Sequence, residues 1–141
     1  MIVKEVSAKS ILDTRKEKTI SISIKTNVGT FEASAPNGKS KGKYEVKSYK
    51  KNLQGDIKTI KQLNDYFSEE LIEKFDDLRR IEDIVDRQIG ANTLFSFESA
   101  ILRALASEKK KEVWELINPN AKKLSRLVGN CMGGGKHSSI T

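Results

Sequence analysis

The sequence predicts an α+β domain in which a three-stranded antiparallel meander is followed by a helical bundle packed on one face of the sheet. Apolar and polar residues alternate strictly over residues 19–26, which is typical of a strand with one buried face. Beyond residue 56 the apolar residues recur at intervals of three and four, which is typical of amphipathic helices. Strands followed by helices indicate the α+β class.

The predicted strands cover residues 3–12, 19–26 and 30–35. The middle strand places Ile20, Ile22 and Ile24 on one face. Asn-Val-Gly at residues 27–29 is a turn signal between the second and third strands. Because one face of this meander is apolar, the helices that follow must cover it.

Five helical segments are predicted after the sheet: residues 57–67, a helix that starts at Ser68, and residues 78–89, 94–105 and 113–117. Gly90 is predicted to end the third of them. The fourth is the most apolar, and we expect it to lie centrally against the sheet. Trp114 lies in the short last helix, which Asn118 and Pro119 close.

Two stretches are predicted to be loops. Residues 36–43 contain two glycines and no large apolar side chain, so little of this stretch can be buried, and we expect it to be mobile. The end of the sequence, residues 127–141, is rich in glycine. We therefore predict a domain over residues 1–126 and a connecting segment over residues 127–141.

Cysteine and histidine are too few for several kinds of site. Cys131 is the single cysteine and His137 the single histidine, so an internal disulfide is excluded and a zinc cluster is not expected. A site for a hard metal ion with oxygen ligands is not excluded by these counts. The glycines at 133–135 do not form a Walker A loop, because Asn130 takes the place of its first glycine and His137 follows the lysine.

The net charge of +7 allows contact with a polyanion. The densest lysine clusters are Lys47, Lys50 and Lys51, and Lys109, Lys110 and Lys111. Aromatic residues amount to 6% and do not alternate with these lysines as a stacking surface requires, so the sequence favours a solvated basic surface over nucleic-acid binding. No apolar run reaches the roughly 20 residues of a membrane span, and no signal core opens the chain, so we expect a cytoplasmic location and no membrane partner.

Three motifs together resemble the amino-terminal domain of enolase. Ser-Ile-Leu-Asp-Thr-Arg at residues 10–15 is similar to the family's opening I-L-D-S-R-G-N-P-T. Ala-Pro-Asn-Gly-Lys-Ser-Lys-Gly-Lys-Tyr-Glu at residues 35–45 resembles V-P-S-G-A-S-T-G-x-x-E and keeps the spacing of Pro, Gly, Ser, Gly and Glu. Ile-Gly-Ala-Asn-Thr-Leu at residues 89–94 resembles L-G-A-N-A-I, and the later stretch Asn-Cys-Met-Gly-Gly-Gly-Lys-His at residues 130–137 resembles N-V-I-N-G-G-x-H. The motifs occur in the same order as in the family, and together they cover nearly the whole chain.

The resemblance implies a role for each matching residue. Ser40 would ligate the second magnesium from a lid that closes over substrate, and His137 would contact the substrate. Arg15 matches an arginine near the family's dimer contact. The lid loop comprises Gly38, Lys39, Ser40, Lys41 and Gly42.

Each of these residues also has a simpler interpretation. The lid loop can be a plain surface turn, His137 an exposed histidine of the tail, and Arg15 an exposed arginine. Lys39 and Lys41 replace the family's usual Ala and Thr. These two charges repel a cation and attract a phosphorylated substrate.

The implied function is the amino-terminal part of a phosphopyruvate hydratase, a lyase of glycolysis that dehydrates 2-phosphoglycerate to phosphoenolpyruvate with magnesium. In that family the base, the acid and the three metal-binding carboxylates belong to a barrel that would begin near Thr141. We therefore expect the isolated chain to be inactive and its partner to be an enolase barrel, on a separate chain or missing, with a homo-oligomer possible in principle. The alternatives are an inactive protein-binding module derived from enolase and, less favoured, a basic nucleic-acid-binding protein.

Overall fold

The computed structural model describes residues 1–38, 42–85 and 87–129 and confirms the predicted α+β architecture. The strands are β1 (Val3–Leu12), β2 (Lys18–Thr26) and β3 (Gly29–Ser34), and the helices are α1 (Leu53–Phe67), α2 (Leu78–Val85), α3 (Ala91–Lys109) and α4 (Val113–Ile117). A single 3₁₀ turn at Phe75–Asp77 precedes α2. Each predicted strand and the short last helix are present within one residue of their expected bounds.

The sheet is an antiparallel meander with the strand order β1-β2-β3. Ile22 lies at its centre, paired with Ala8 on one side and Ala33 on the other. The turn between β2 and β3 ends at Gly29, whose φ of 143° is a backbone conformation that side chains rarely permit. The turn predicted at residues 27–29 is therefore present for the expected reason.

The apolar face of the sheet is covered by two helices. Ile20, Ile22 and Ile24 are completely buried, with α1 packed on β1 and α3 packed on β2 and β3. The rings of Phe67 in α1 and Phe97 in α3 meet edge to face with their centroids 4.7 Å apart, which joins the two helices above the sheet. The central position predicted for the most apolar helix is confirmed.

The opposite face of the sheet carries polar side chains across the strands. The Lys9 ammonium of β1 lies 2.8 Å from the Glu32 carboxylate of β3, and the Ser21 hydroxyl of β2 donates to that carboxylate. Such cross-strand pairs suit a face that meets solvent. The helices therefore pack on one face alone.

The helix predicted to start at Ser68 is absent, and that prediction was wrong. α1 ends at Phe67 with Ser68 as its C-cap, and the chain then turns through Glu69 at a φ of 68°. The following residues run beside β1, where the Val3 N–H donates to the Glu70 carbonyl at 3.0 Å and the Ile72 N–H to the Met1 carbonyl at 2.9 Å. The apolar residues of this stretch therefore extend the sheet edge instead of forming a helical face.

The helix predicted over residues 78–89 ends earlier, at Val85, and Gly90 does not close it. The Gln88 N–H donates to the Val85 carbonyl at 2.9 Å, and Arg87 has a φ of 57°, so the chain leaves the helical path before Gly90. Gly90 instead stands at the N-cap of α3. The prediction mistook the glycine before a helix for the glycine after one.

Residues 118–129 follow α4 and contain neither helix nor strand. Leu124, Leu127 and Val128 are almost completely exposed there, and Trp114 of α4 is 53% exposed. A domain boundary at residue 126 stays a prediction, since residues 130–141 lie outside the described part of the chain.

Candidate functional site

The candidate site is the lid segment, residues 38–42, with the residues that hold its two ends. Four of the predicted site residues lie outside the described residues: Lys39, Ser40, Lys41 and His137. Gly38, Gly42 and Arg15 are described. The structure therefore defines how the lid segment is attached, and it brings Arg15 to one of the attachment points.

The chain entering the lid segment is held by the turn between β1 and β2. The Arg15 guanidinium donates to the backbone carbonyl of Asn37. The Asn37 side-chain amide donates to the Lys18 carbonyl at 3.0 Å and to the Asp13 carboxylate at 3.4 Å. Because both the backbone and the side chain of Asn37 are bound, the position of Gly38, the next residue, is constrained.

Asp13 organises this turn. Its carboxylate accepts hydrogen bonds from the backbone N–H groups of Arg15 and Glu17, each at 2.9 Å. The Glu17 N–H is the main cause that lowers the pKa of Asp13 below its usual range; desolvation opposes it, and the Arg15 N–H, the Arg15 charge and Asn37 lower the pKa further. Asp13 therefore stays ionised near neutral pH and keeps the Arg15 backbone in place.

The chain leaving the lid segment is held separately. The Gly42 N–H donates to the Glu45 carboxylate at 2.8 Å. Farther along, the Tyr49 hydroxyl lies 3.3 Å from the Thr19 hydroxyl, which itself donates to the Ala35 carbonyl at 2.5 Å. Thr19 thus connects the chain before the lid segment with the chain after it.

An open cleft of about 260 Å³ lies between these two attachments. Its lining residues come from both sides of the lid segment: Glu17, Asn37, Gly38, Ser48 and Tyr49. The amide, hydroxyl and carboxylate groups of this lining offer hydrogen bonds to a polar ligand or a polar partner surface.

A buried carboxylate fixes the loop that carries Tyr49. Asp56 is 1% exposed and accepts hydrogen bonds from the Lys50 N–H at 3.0 Å, the Gly90 N–H at 2.8 Å and the Thr93 hydroxyl at 2.6 Å. It therefore joins the loop, the first turn of α1 and the start of α3. Sequence reasoning missed Asp56, although its position four residues before buried Ile60 places it on the apolar face of α1.

Comparison with known proteins decides the family. A sequence model described as "Enolase, N-terminal domain" matches residues 3–117, which is more than half of the chain. The chain belongs to the enolase family. The matched span contains all three strands, all four helices and both attachments of the lid segment.

Two similar proteins support the assignment over nearly the whole length. Cytosolic enolase 3 of Arabidopsis thaliana is 30% identical over 99% of this chain, and the enolase of Methanothermobacter thermautotrophicus is 30% identical over 97% of it. The aligned regions make up 34% and 35% of those two proteins. This enolase N-terminal domain thus spans about one third of the length of the curated relatives it matches.

A second cleft lies on the far side of this enolase domain, between α2 and α3, with a volume of about 390 Å³. Glu82 and Glu98 line it together with Phe75 and Phe95, both partly exposed. Burial, followed by the hydrogen bond with Glu82 and the repulsion between the two carboxyl groups, raises the pKa of Glu98 to about 7. Sequence reasoning missed this pair, since nothing in the residue spacing shows that α2 and α3 bring them together.

Magnesium binding cannot be assigned to the described part of this enolase domain. Across residues 1–38, 42–85 and 87–129 there is no group of three or more His, Cys, Asp or Glu residues arranged to hold a metal ion. Ser40, the predicted ligand, lies outside these ranges. Over the same ranges, no helix has the length and apolar character needed to cross a membrane.

Proposed function

We propose that this chain is the cap of a magnesium-dependent phosphopyruvate hydratase, which converts 2-phosphoglycerate to phosphoenolpyruvate in glycolysis. The observation that carries the proposal is the enolase N-terminal match over residues 3–117, within which Asn37 before the lid segment binds the Lys18 carbonyl and Tyr49 after it contacts Thr19. As the family motif implies, we propose that this segment closes over bound substrate. A glycolytic role also implies a cytoplasmic location, which we propose with it.

Ser40 and His137 are the residues we propose for direct contact with the reacting complex. Their assignment is based on motif position, Ser40 in the lid and His137 at the end of the glycine-rich stretch. A hydroxyl is a suitable oxygen ligand for magnesium, which usually keeps several waters as well. A histidine donor can stabilise charge that develops on the substrate.

The remaining chemistry belongs to the barrel domain of the family, on this polypeptide or on another. Magnesium bound by carboxylates of the barrel would supply positive charge that favours proton removal from the acid substrate, and Ser40 would add an oxygen ligand. Residues 1–141 by themselves are expected to be inactive. The proposed partner is therefore an enolase barrel, and the proposed ligand is a small phosphorylated acid.

Arg15 has a structural contact in the chain and a proposed contact outside it. Its guanidinium binds the Asn37 carbonyl and lies 3.5 Å from the Glu17 carboxylate, while 39% of its side chain remains exposed. The exposed part is available to a carboxylate of a second subunit, as the family motif implies. We propose this contact if the assembled enzyme is a homo-oligomer.

A chimera tests the proposed function. The matching first third of the Methanothermobacter enolase would be replaced by residues 1–141, and phosphoenolpyruvate formation from 2-phosphoglycerate would be followed with and without magnesium. We expect magnesium-dependent activity. Ser40→Ala should weaken activation by magnesium about tenfold to 100-fold, and His137→Ala should lower kcat about 100-fold.

Matched controls separate these roles from folding. Ser107→Ala changes an exposed serine of α3 outside the lid and should leave the chimera unchanged. A folded chimera that binds magnesium and substrate but produces no phosphoenolpyruvate would contradict the proposal and favour the inactive binding module. Full activity in both Ser40→Ala and His137→Ala would reject their assigned roles.

A further inference from the structure

Residues 42–61 form a short basic stretch next to an acidic one. Residues 42–61 contain six lysines and two acidic residues, whereas residues 62–86 contain nine acidic residues and three cationic ones. We call the exposed side chains of Lys47, Lys50, Lys51 and Lys58 the basic face. The acidic charge is therefore concentrated in residues 62–86, and residues 42–61 are one of the basic stretches that flank it.

Two adjacent clefts lie within the basic face and share Lys50. One has a volume of about 440 Å³ and is lined by Val46, Lys47 and Lys50 among others. The other has a volume of about 240 Å³ and is lined by Lys50, Lys51 and Lys58 among others. Concave surfaces lined by charge of one sign concentrate the field and attract ions of the opposite sign.

The lysines of the basic face are not neutralised by neighbouring carboxylates. Among the described residues, Lys47, Lys50, Lys51 and Lys58 make no ion pair within 4.0 Å. Among the described residues, the one acid that lines the clefts is Asp56, which is 1% exposed and accepts hydrogen bonds from three protein donors. The clefts therefore offer ammonium groups whose natural partners are anions from outside the chain.

An aromatic side chain stands beside this surface. Tyr44 is 90% exposed and lies two residues before Val46, which lines the larger cleft. The Lys43 ammonium lies 5.6 Å from the centre of its ring, so one side of the ring faces a cation. The spacing of lysines and aromatics in the sequence shows no stacking surface, but the fold leaves this ring almost fully accessible next to the basic face.

We propose that the basic face and Tyr44 together bind single-stranded nucleic acid. Phosphates occupy the lysine-lined clefts, and a base stacks on the Tyr44 ring. A chain of phosphates accounts for two clefts that share Lys50 better than a single small anion does. The exposed ring favours nucleic acid over an acidic peptide, because every base has a face that stacks on an aromatic side chain.

Fluorescence anisotropy with a labelled oligouridine of about 20 nucleotides tests this proposal at several salt concentrations. Replacing Lys47, Lys50 and Lys51 together by Gln should weaken binding at least about tenfold and reduce the dependence of log affinity on log salt by about two. The matched control replaces Lys109, Lys110 and Lys111 by Gln. It removes the same charge from the end of α3 and should weaken binding less than about threefold.

Tyr44→Ala should weaken oligouridine binding about tenfold with an unchanged salt dependence, because it removes stacking and no charge. All seven side chains changed in these variants are exposed, so thermal melting should show an intact fold in each of them. The assay needs neither a barrel nor magnesium, so its result is independent of the enolase proposal.

Several results would overturn the proposal. Equal weakening by the two lysine triples would show a response to net charge alone. Equal competition by polyglutamate would identify an acidic-peptide surface, and equal competition by uridine monophosphate a small-anion site. No effect of Tyr44→Ala, or no binding by the unchanged chain, would also reject it.

Discussion

Among the described residues, Glu98 is the one whose pKa the fold raises. It lies on α3 in the cleft that it shares with Glu82 on α2, and its pKa rises to about 7 from an ordinary value of 4.5. Between these two values the folded chain binds a proton that the unfolded chain has released. The contribution of Glu98 to the free energy of unfolding is therefore fully present below about pH 4.5, and it is lost as the pH rises through 7.

Glu98→Gln should remove this pH dependence. We expect the variant to gain about 1 kcal/mol relative to the unchanged chain between roughly pH 5 and pH 8, a modest value because water screens a half-exposed carboxyl group. Urea denaturation of both proteins at the two pH values measures it. Asp13, Glu32 and Asp77 have lowered pKa values, so their effects belong to more acid solutions.

The exposed Glu5 of β1 provides the matched control, because Glu5→Gln makes the same chemical change away from Glu82. It should leave the pH dependence unaltered. An identical pH dependence in Glu98→Gln and the unchanged chain would show that the two carboxyl groups do not interact as described.

At the level of single residues, sequence motifs and structure identify different kinds of site. Ser40 and His137 were proposed from motif position and lie outside the described residues, so their roles stay predictions. Asp56 and Glu98 belong to no motif that we recognised. Their environments are created by contacts between distant parts of the chain, as when Thr93 donates to Asp56 across 37 positions of sequence. Sequence periodicity carries no information about such a pairing.

At the level of elements, local pattern predicted most of the fold and failed where a non-local contact decides the conformation. The alternation around Ile22 and the heptad-like spacing of Ile60 and Phe67 reflect burial directly, so β2 and α1 were predictable. The stretch after Ser68 has apolar residues that suit a helix, but its backbone pairs with the first residues of the chain. Gly90 was misplaced for a similar reason.

Gly90 is constrained by the loop that passes over the start of α3. A Cβ added there would lie 2.3 Å from the Tyr49 Cα and 2.5 Å from the Ser48 carbonyl oxygen, and both are backbone atoms. The loop cannot move aside without losing its hydrogen bonds, since the Ala91 N–H donates to the Lys47 carbonyl at 2.9 Å. This close approach explains why a residue without a side chain stands at this junction.

Gly90→Ala should therefore destabilise the domain by about 3 kcal/mol through steric overlap with backbone. Chemical denaturation monitored by circular dichroism measures the loss. Gly55→Ala is the matched control, because a Cβ at this α1 position meets nothing closer than 3.4 Å. It should be neutral or stabilising by up to about 1 kcal/mol, since alanine favours a helix over glycine. Equal stability of the two variants would contradict the close approach.

At the level of the whole molecule, the sequence predicted the layer architecture because each face of the sheet has a distinct composition. The apolar face needs a cover, and the only helical patterns able to supply it come after the strands. The last described residues also include apolar side chains, and no other part of the described chain covers them. Ile117 of α4 is 53% exposed, and Leu124 and Leu127 are almost completely so. In the proposed enolase assembly, a barrel domain would pack against such a surface.

Trp114 reports on that assembly, because it is the single tryptophan in the sequence and is 53% exposed. We expect acrylamide to quench its fluorescence at least about twofold less in the enolase chimera than in residues 1–141 alone, since packing against a barrel excludes the quencher. The same chimera with Trp114→Phe measures the fluorescence of any tryptophan in the barrel, which is then subtracted. An active chimera in which Trp114 is quenched as readily as in the isolated domain would mean that the barrel packs elsewhere. The apolar residues that follow α4 would then need a different partner.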